Sequence, residues 1–212
     1  MLYAYQVTAV ANQFTIRQVD PTSDKFLYSA NLWEVAQRAG FWSPADGLLD
    51  FLTVFAPKRA HAPYATRRVW RVFNLVAPSL ILPPYTDAYG NDYPFSVKAE
   101  RTLSPQDVMQ LQRDHYEGSV FDLTQGLGAG PYGDPNRFDM AAVGNMTFMQ
   151  ALSGSYERSI SLFRTSYSFV SMPRPLVPDI LSLLWFAQYA PSSTSYAPFY
   201  IASSTPPKAY TK

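Results

Sequence analysis

The chain has 212 residues, of which 47% are apolar and 16% aromatic, so it can bury one sizeable core and does not have the composition of a disordered polypeptide. Its 17 basic and 16 acidic residues are spread along the chain without a run of one sign, which excludes the clustered positive charge of a nucleic-acid-binding protein. No apolar stretch approaches the roughly 20 residues of a membrane-spanning helix, and the lack of cysteine excludes disulfides, thiolate metal sites and a cysteine nucleophile within this chain.

The chain termini and composition leave the cellular compartment open. The first segment, MLYAYQVTAV, has no basic stretch ahead of an apolar one, so no secretory signal is predicted. Asn145, in Asn145-Met146-Thr147, forms an acceptor triplet for N-glycosylation. Lysosomal, secreted and cytoplasmic locations all remain compatible with the residues.

The first third of the chain predicts one strand followed by two helices. Residues 14–19 (FTIRQV) alternate apolar and polar side chains, as a half-buried strand does. Asn31 with Glu34 resembles a capping box, so LWEVAQRA is predicted as a short helix that ends at Gly40. Ser43-Pro44 is a second start signal, and a helix is predicted to continue through GLLDFLTVF.

The middle of the chain predicts two further helices. In YATRRVWRVFNLVAP an apolar stripe recurs at helical spacing, at Val69, Val72, Phe73 and Val76. The same spacing predicts that the arginines of this segment, namely Arg67, Arg68 and Arg71, lie mostly on its solvated faces. Ser104 followed by proline is another cap, and it predicts a helix over PQDVMQLQRDHY.

The last third predicts strands. The runs SISLFRTSYSFVSM, LLWFAQY and PFYIAS are alternating or continuous β-type sequences separated by prolines. Helices early and strands late favour an α+β fold with antiparallel strands over alternating α/β units. No internal repeat or linker is visible, so residues 1–212 are predicted to form one domain.

The segment Arg113 to Arg137 carries five glycines and two prolines among charged residues that include Asp114 and Asp122. Such a segment either lines a pocket or forms an Ω-type loop tied down by Asp–Arg pairs, and the residues alone leave both open. It lacks the Gly-Lys-Ser/Thr ending of a phosphate-binding loop. The two histidines, His61 and His115, lie far apart in sequence and are predicted to be ordinary surface or capping residues, so no metal site is expected.

Several stretches, in a fixed order, resemble the dipeptidase family C69, which is related to secernins. The most specific stretch is YEGSVFDLTQGLGAGPYGDPNR, and the others are VANQFTI, GFWSPADGLLDF, YATRRVWRVF, YPFSVKAERTLSPQDVM, ERSISLFRTSYSFV and LLWFAQYAPSSTSYAPFY. The resemblance implies an N-terminal-nucleophile hydrolase with a four-layer αββα fold. It also implies a cysteine thiolate that attacks the peptide carbonyl, while the α-amino group of the same residue transfers protons.

This sequence departs from that pattern because it contains no cysteine. The resemblance therefore implies that residues 1–212 are the C-terminal portion of a C69-like dipeptidase whose nucleophile lies elsewhere. A fragment, one chain of a processed two-chain enzyme and a truncated gene product all remain open. The expected partners are the N-terminal half of the same protein or a second chain, a small dipeptide substrate and, as one option, further copies of the chain, with no cofactor.

The resemblance and the residue chemistry together nominate five site residues. Asn12 resembles a family position where an amide steadies the oxyanion. Asp114 and Asp122 are expected to receive the substrate ammonium, and Arg113 or Arg137 its carboxylate. Two alternatives remain open: a catalytically inactive binding or structural protein with the same fold, and a sugar-stacking surface made from the many aromatic residues.

Overall fold

A computed structural model of the chain describes residues 4–56, 63–87, 89–135, 158–205 and 208. The longer helices are α1 (Leu32–Arg38), α2 (Phe51–Phe55), α3 (Pro63–Val76) and α4 (Pro105–Gln112). The strands are β1 (Ala4–Val7), β2 (Gln18–Val19), β3 (Leu49–Asp50), β4 (Val97–Leu103), β5 (Tyr167–Met172), β6 (Leu183–Gln188) and β7 (Ala197–Tyr200). Short 3-10 turns occupy Pro44–Asp46, Leu127–Tyr132, Asp179–Leu181 and Pro191–Ser193.

The described strands form three small antiparallel sheets. β1 pairs with β4, β2 pairs with β3, and β5, β6 and β7 form one sheet in that order. With helices early and the three-stranded sheet late, the α+β prediction is confirmed. Within the described residues, every helix is too short or too polar to cross a bilayer.

A core cluster of buried residues joins α3 to β4. Phe73, Val76 and Ala77 at the end of α3 pack with Val97, Ala99 and Leu103, and all six are buried. Because α3 turns its apolar stripe toward this strand, its opposite side is available to hold other parts of the chain. That second side carries Arg67 and Arg71.

Two of the predicted elements differ from the structure. The helix predicted from Ser43 through Phe55 is divided, because Gly47 adopts φ 82 and Leu49 pairs with Val19 before α2 begins. Asp50 then caps α2, its Oδ1 accepting the N–H of Thr53 at 3.2 Å. Of the strand predicted over residues 14–19, only Gln18–Val19 forms a strand in the structure. Its partner among the described residues, β3, has two residues.

The long strand β4 was not predicted as a strand. Its sequence VKAERTL alternates only at its start, and its exposed residues are charged or polar. A strand with one buried and one solvated face normally alternates, but here Glu100, Arg101 and Thr102 are all exposed where the register with β1 shifts between Ala4 and Gln6. The predicted fourth helix is confirmed but ends at Gln112, and the predicted strand over residues 159–172 begins only at Tyr167.

The start of α4 is fixed by a reciprocal cap. Asp107 accepts the N–H and the hydroxyl of Ser104, both at 2.7 Å, and Ser104 accepts the N–H of Asp107 at 3.2 Å. Arg101 donates to the other oxygen of Asp107 at 2.7 Å. The donors on Arg101 and Ser104, followed by the charge of Arg101, hold the pKa of Asp107 well below its usual range, although slight burial opposes them.

We expect Asp107→Asn to lower the free energy of unfolding at pH 7 by about 1 kcal/mol, because the cap is only partly buried and solvent screens its charge. Since folding lowers the pKa of Asp107, its contribution is present above about pH 4 and is lost as the pH falls. Urea unfolding from pH 7 to pH 3 should therefore show a shallower pH dependence for the variant. The control is Asp46→Asn. The carboxylate of Asp46 accepts similar hydrogen bonds from the N–H and hydroxyl of Ser43, but at a single 3-10 turn. Parallel pH profiles for Asp107→Asn and the wild type would contradict this account.

Candidate functional site

A buried ion pair attaches the glycine-rich segment to α3. The Nε of Arg71 lies 2.9 Å from Oδ1 and 3.0 Å from Oδ2 of Asp114, and its Nη2 lies 2.7 Å from Oδ2. The same Nη2 donates to the backbone carbonyl of Glu117 at 2.7 Å. The two side chains are 7% and 9% exposed. Their charges are therefore compensated by each other rather than by water.

Asp114 also organises the backbone that follows it. Its Oδ1 accepts the N–H of Tyr116 at 2.9 Å, and its carbonyl accepts the N–H of Ser161 at 3.0 Å. Tyr116 is fully buried with φ 69, a left-handed conformation that a tyrosine adopts at some energetic cost. Its hydroxyl donates to the carbonyl of Arg158. The turn is therefore held by the Asp114 carboxylate and by backbone groups of Arg158 and Ser161, which are distant in sequence.

A second arginine of α3 contacts Phe121, which belongs to the same segment. Arg67, which is 3% exposed, lies with its guanidinium carbon 3.6 Å from the ring centre of Phe121 and 4.5 Å from that of Tyr85. Its Nη1 donates to the carbonyl of Pro84 at 2.8 Å. The Trp70 ring meets the Phe121 ring edge to face, with centres 5.7 Å apart. Stacking of this kind gives a buried cation favourable contacts on its faces.

The solvated-face prediction is wrong for Arg67 and Arg71. Both side chains are buried because segment 113–124 covers that side of α3, which the helical spacing alone does not reveal. Arg68 does reach an exposed partner, since its Nη2 donates to Oδ1 of Asn12 at 2.6 Å. The sequence did contain one signal for a shared role of these arginines: Arg67 and Arg71 are four residues apart, so they lie on the same face of the helix.

Within the loop, Asp122 accepts three hydrogen bonds. The backbone N–H groups of Gly118 and Thr124 lie 3.1 and 2.9 Å from its oxygens, and the Thr124 hydroxyl lies 2.6 Å away. The Thr124 hydroxyl lowers the pKa of Asp122 most; slight burial opposes it, and the two N–H groups and the charge of Arg71 lower it further. Asp122 thus closes the turn that begins the glycine-rich stretch.

His115 is buried, which corrects its assignment as a surface or capping residue. Its Nδ1 lies 3.0 Å from Oε1 of Glu117, and its backbone N–H donates to the other carboxylate oxygen at 2.6 Å. Its Nε2 is buried without a hydrogen-bond partner. Burial raises the pKa of Glu117, but these bonds and the Glu117 backbone N–H outweigh it and leave that pKa below its usual range. His61, the other histidine, lies outside the described residues.

Arg113 connects α4 to the turn between β6 and β7. Its Nε donates to the carbonyl of Pro191 at 3.0 Å, and its Nη2 donates to the carbonyl of Thr194 at 3.2 Å. The guanidinium carbon lies 5.0 Å from the centre of the Tyr196 ring. Arg137 and Asn145 lie outside the described residues. Among the described residues, no group of three or more histidine, aspartate or glutamate side chains is arranged to hold a metal ion.

A separate cleft of about 320 Å³ lies beside Asn12. Segment 9–18, the starts of α2 and α3, and the loop 89–95 line it. Ala11 and Gln13, the two neighbours of Asn12, are among its lining residues, whereas no described residue of the segment 113–135 is. Asn12 itself is not among the lining residues, and the loop of Asp114 and Asp122 lies on the arginine side of α3.

The polar wall of the cleft is an ion pair extended by an amide. Arg17 meets Asp50 at 2.7 Å and donates to the side-chain oxygen of Asn91. Asp87 shapes the loop that presents Asn91, accepting the N–H groups of Tyr89 and Asn91, both at 3.0 Å. Sequence reasoning missed these residues because they are 33 and 74 positions apart and meet only through tertiary folding.

Two further features of the cleft limit its chemistry. Burial raises the pKa of Tyr93 to about 12, against an opposing effect of Arg67, and its hydroxyl donates to the carbonyl of Pro83 at 2.9 Å. Tyr93 is therefore a neutral hydrogen-bond donor at physiological pH and not a base. The lining residues offer amide, hydroxyl and guanidinium groups that suit binding, and none is a histidine or an acid free of an arginine partner.

A family model for peptidase family C69 matches residues 4–212. The chain belongs to peptidase family C69. It is also similar to two curated proteins named "Probable dipeptidase". The one from Salmonella dublin is 26% identical over 195 residues, covering 90% of this chain and 38% of the relative. The one from Latilactobacillus sakei is 26% identical over 205 residues, covering 94% of this chain and 37% of the relative.

The family prediction is thereby confirmed, and this C69 chain spans less than two fifths of the length of these relatives. The segments that carried the resemblance meet in space. YATRRVWRVF forms most of α3, and its Arg67 and Arg71 hold Phe121 and Asp114 around YEGSVFDLT. Two of the recognisable C69 segments are therefore one structural unit.

We expect Arg71→Met to lower the free energy of unfolding of this C69 chain by about 3 to 5 kcal/mol, because Asp114 is left buried without its counter-charge. Guanidinium unfolding provides the measurement. Arg38→Met is the control, since Arg38 pairs with Glu34 at 3.5 Å on an exposed helix face, and it should cost less than about 0.5 kcal/mol. The double variant Arg71→Met, Asp114→Leu should recover most of the loss. Equal, small effects for Arg71 and Arg38 would contradict the assigned role of the buried pair.

We expect Asp122→Asn to lower the stability of the loop by about 1 kcal/mol, less than a buried charge would cost, because Asp122 is only partly buried. An asparagine keeps one acceptor oxygen and loses the charge that attracts the N–H groups. Thermal unfolding and hydrogen exchange at Gly118 and Thr124 provide the measurements, with Asp24→Asn at an exposed position outside this loop as the control. Unchanged exchange at both amides would show that the carboxylate does not hold this turn.

Proposed function

We propose that this chain is the C-terminal portion of a dipeptidase whose cysteine nucleophile is carried by polypeptide outside residues 1–212. Membership of family C69 and the names of the two relatives support dipeptide hydrolysis. The observation that carries the second half of the proposal is the absence of cysteine from the whole sequence. In this proposal the four-layer αββα arrangement of an N-terminal-nucleophile hydrolase is completed by the N-terminal half of the same protein or by a second chain.

The chemical step we propose is the attack of the cysteine thiolate on the peptide carbonyl, which forms a tetrahedral oxyanion. The α-amino group of that cysteine then gives a proton to the departing amine, and water releases the acyl group from sulfur. The role left to this chain is to bind the dipeptide and to stabilise the oxyanion.

We propose Asn12 as the oxyanion donor because it lies between Ala11 and Gln13, two lining residues of the cleft, although Asn12 itself does not line it. Arg68 can only donate hydrogen bonds, so the amide oxygen of Asn12 faces Arg68 and its NH₂ group points elsewhere. The residue is held at φ 56, a conformation that asparagine tolerates better than most residues. A donor fixed before the substrate arrives stabilises a developing negative charge without reorganisation. The cleft beside Asn12 is the proposed position of the dipeptide.

For the charged residues of the loop we propose a mainly positioning role. Asp114 gives its carboxylate to Arg71 and to the N–H of Tyr116, and Arg113 is bonded to two backbone carbonyls. Asp122 is partly exposed, but no described residue of the segment 113–135 lines the cleft proposed for the dipeptide, so we propose that Asp122 holds the loop through its bonds to Gly118 and Thr124 rather than binding the substrate ammonium. Arg137 completes the proposed set as a partner for the substrate carboxylate.

The alternative proposal is a catalytically inactive protein that kept the family scaffold. The lack of cysteine favours it as much as it favours a nucleophile supplied elsewhere. Hydrolysis separates the two. Residues 1–212 mixed with the N-terminal portion of the same protein should cleave dipeptides, whereas residues 1–212 alone should not. An inactive mixture that nevertheless forms a stable complex would support the inactive scaffold.

In the active assembly we expect Asn12→Gly to lower kcat by about a hundredfold with little change in stability, because it removes the oxyanion donor and glycine accepts φ 56. Steady-state hydrolysis of a dipeptide panel provides kcat and KM, and thermal unfolding provides stability. The control Arg68→Ala keeps the Asn12 amide and should change kcat only a few-fold. A selective rise in KM for Asn12→Gly would instead assign Asn12 to substrate binding.

A further inference from the structure

The two edges of the sheet formed by β5, β6 and β7 differ in their ability to accept another strand. The N–H of Tyr189 bonds to the carbonyl of Ser166 at 2.9 Å, which fixes the alternation along β5. Ser168 and Val170 therefore turn their backbone groups toward β6. The N–H groups of the alternate residues, namely Tyr167, Phe169 and Ser171, point away from the sheet.

The opposite edge is blunted by proline. Ile201 donates its N–H to the carbonyl of Ser182 at 3.0 Å, so on β7 the backbone groups of Pro198 point away from β6. Because proline has no N–H, that edge lacks the donor which an incoming strand would use there. Among the described residues, β5 carries neither proline nor charge in its sequence YSFVSM, and its outer backbone is contacted by the Gln112 amide at the Phe169 carbonyl.

A cavity lies along the open edge of β5. It has a volume of about 320 Å³ and is lined by Gln112, Ile160, Thr165, Tyr167, Ser168, Phe169 and Pro191. Ser168 is 8% exposed, and its hydroxyl oxygen is buried without a hydrogen-bond partner. Gln112 donates to the outward carbonyl of Phe169 at 3.1 Å, which confirms that this carbonyl points off the sheet. The edge thus offers backbone donors beside a space that can take a side chain.

The face above this edge is aromatic and exposed. Tyr167 and Phe169 are 58% and 49% exposed, and their rings stack with centres 6.4 Å apart. The Tyr167 ring also stacks on Phe186 at 5.9 Å. Exposed aromatic side chains on an uncharged edge strand favour pairing with another strand, and soluble proteins normally cover such an edge.

We propose that the outer edge of β5 binds an extended strand from the part of the C69 protein that residues 1–212 do not include. This inference rests on the proposed N-terminal partner. More than 60% of the length of each relative lies outside the matched region, since the chain covers 38% and 37% of them, and this supplies ample sequence for that strand. One side chain of the strand enters the cavity beside Ser168, and its neighbours lie over Tyr167 and Phe169. Alternate apolar side chains and an uncharged centre are the chemistry that fits.

Hydrogen exchange tests this directly on the wild-type chain. In residues 1–212 alone, the amides of Tyr167, Phe169 and Ser171 should exchange rapidly, while those of Ser168 and Val170 are protected by β6. Addition of the separately expressed N-terminal portion should protect the three outward amides. If they stay unprotected in a complex that forms, the inference is overturned. Protection that instead grows with the concentration of residues 1–212 alone would assign the edge to a second copy of the chain and overturn it as well.

A pair of variants at one position provides the second measurement. Ser171→Pro removes one outward N–H, which β6 does not use, and Ser171→Ala keeps it. We expect Ser171→Pro to weaken the complex by about tenfold in a binding titration, and Ser171→Ala to leave it unchanged. If the amides of Ser168 and Val170 stay protected in Ser171→Pro, the sheet of that variant is folded. If they do not, Phe169→Lys is used in its place. Equal affinities for both Ser171 variants and Phe169→Lys would overturn the inference. A complex that protects the three amides but hydrolyses no dipeptide would refute the proposed function and leave the strand site standing.

Discussion

The ion pair of Arg71 and Asp114 is the interaction on which the arrangement of the described segments depends. A buried carboxylate and guanidinium lose hydration, so they are stable only when they meet with good geometry and their remaining groups are bonded. Here the Glu117 carbonyl accepts a further hydrogen bond from Arg71, and the Tyr116 N–H donates one to Asp114. Removing either charge therefore affects the helix, the turn and the Ser161 backbone together.

Helix α3 joins three parts of the chain because its faces have different chemistry. Its apolar stripe packs on β4, its buried arginines hold the segment from Asp114 to Phe121, and Arg68 reaches Asn12. A single rigid element thus sets both the cleft beside Asn12 and the glycine-rich loop. For a hydrolase of the proposed kind, such a scaffold holds binding groups in place before the nucleophile is added.

The described sheets are small, and this has a physical consequence. A two-stranded sheet contributes little by itself, and the three-stranded sheet exposes aromatic rings on one face, while among the described strands β5 pairs on one side only. The prolines of the chain protect some edges, as Pro198 does on β7, but not all of them. The proposal that further polypeptide covers β5 follows from this asymmetry together with the length of the C69 relatives, and it does not depend on the catalytic role of Asn12.

The sequence by itself determined the family, the α+β class and the helices whose signals are local. Ser104 with Asp107 fixes the start of α4, and the stripe from Val69 to Val76 fixes α3, because caps and helical spacing act within a few residues. The order of the C69 segments could also be identified from the sequence without the structure. Asp122 as an acceptor of turn N–H groups belongs to the same class of local signals.

Only the tertiary structure decided which charged residues are buried and which strands form. Arg67 and Arg71 looked solvated because helical periodicity cannot show that segment 113–124 covers them, and the short β2 and β3 exist because distant residues pair with each other. The cleft is another case, since Arg17, Asp50 and Asn91 are far apart along the chain. Contacts between residues of large sequence separation depend on how elements pack, and a single sequence carries that information only weakly.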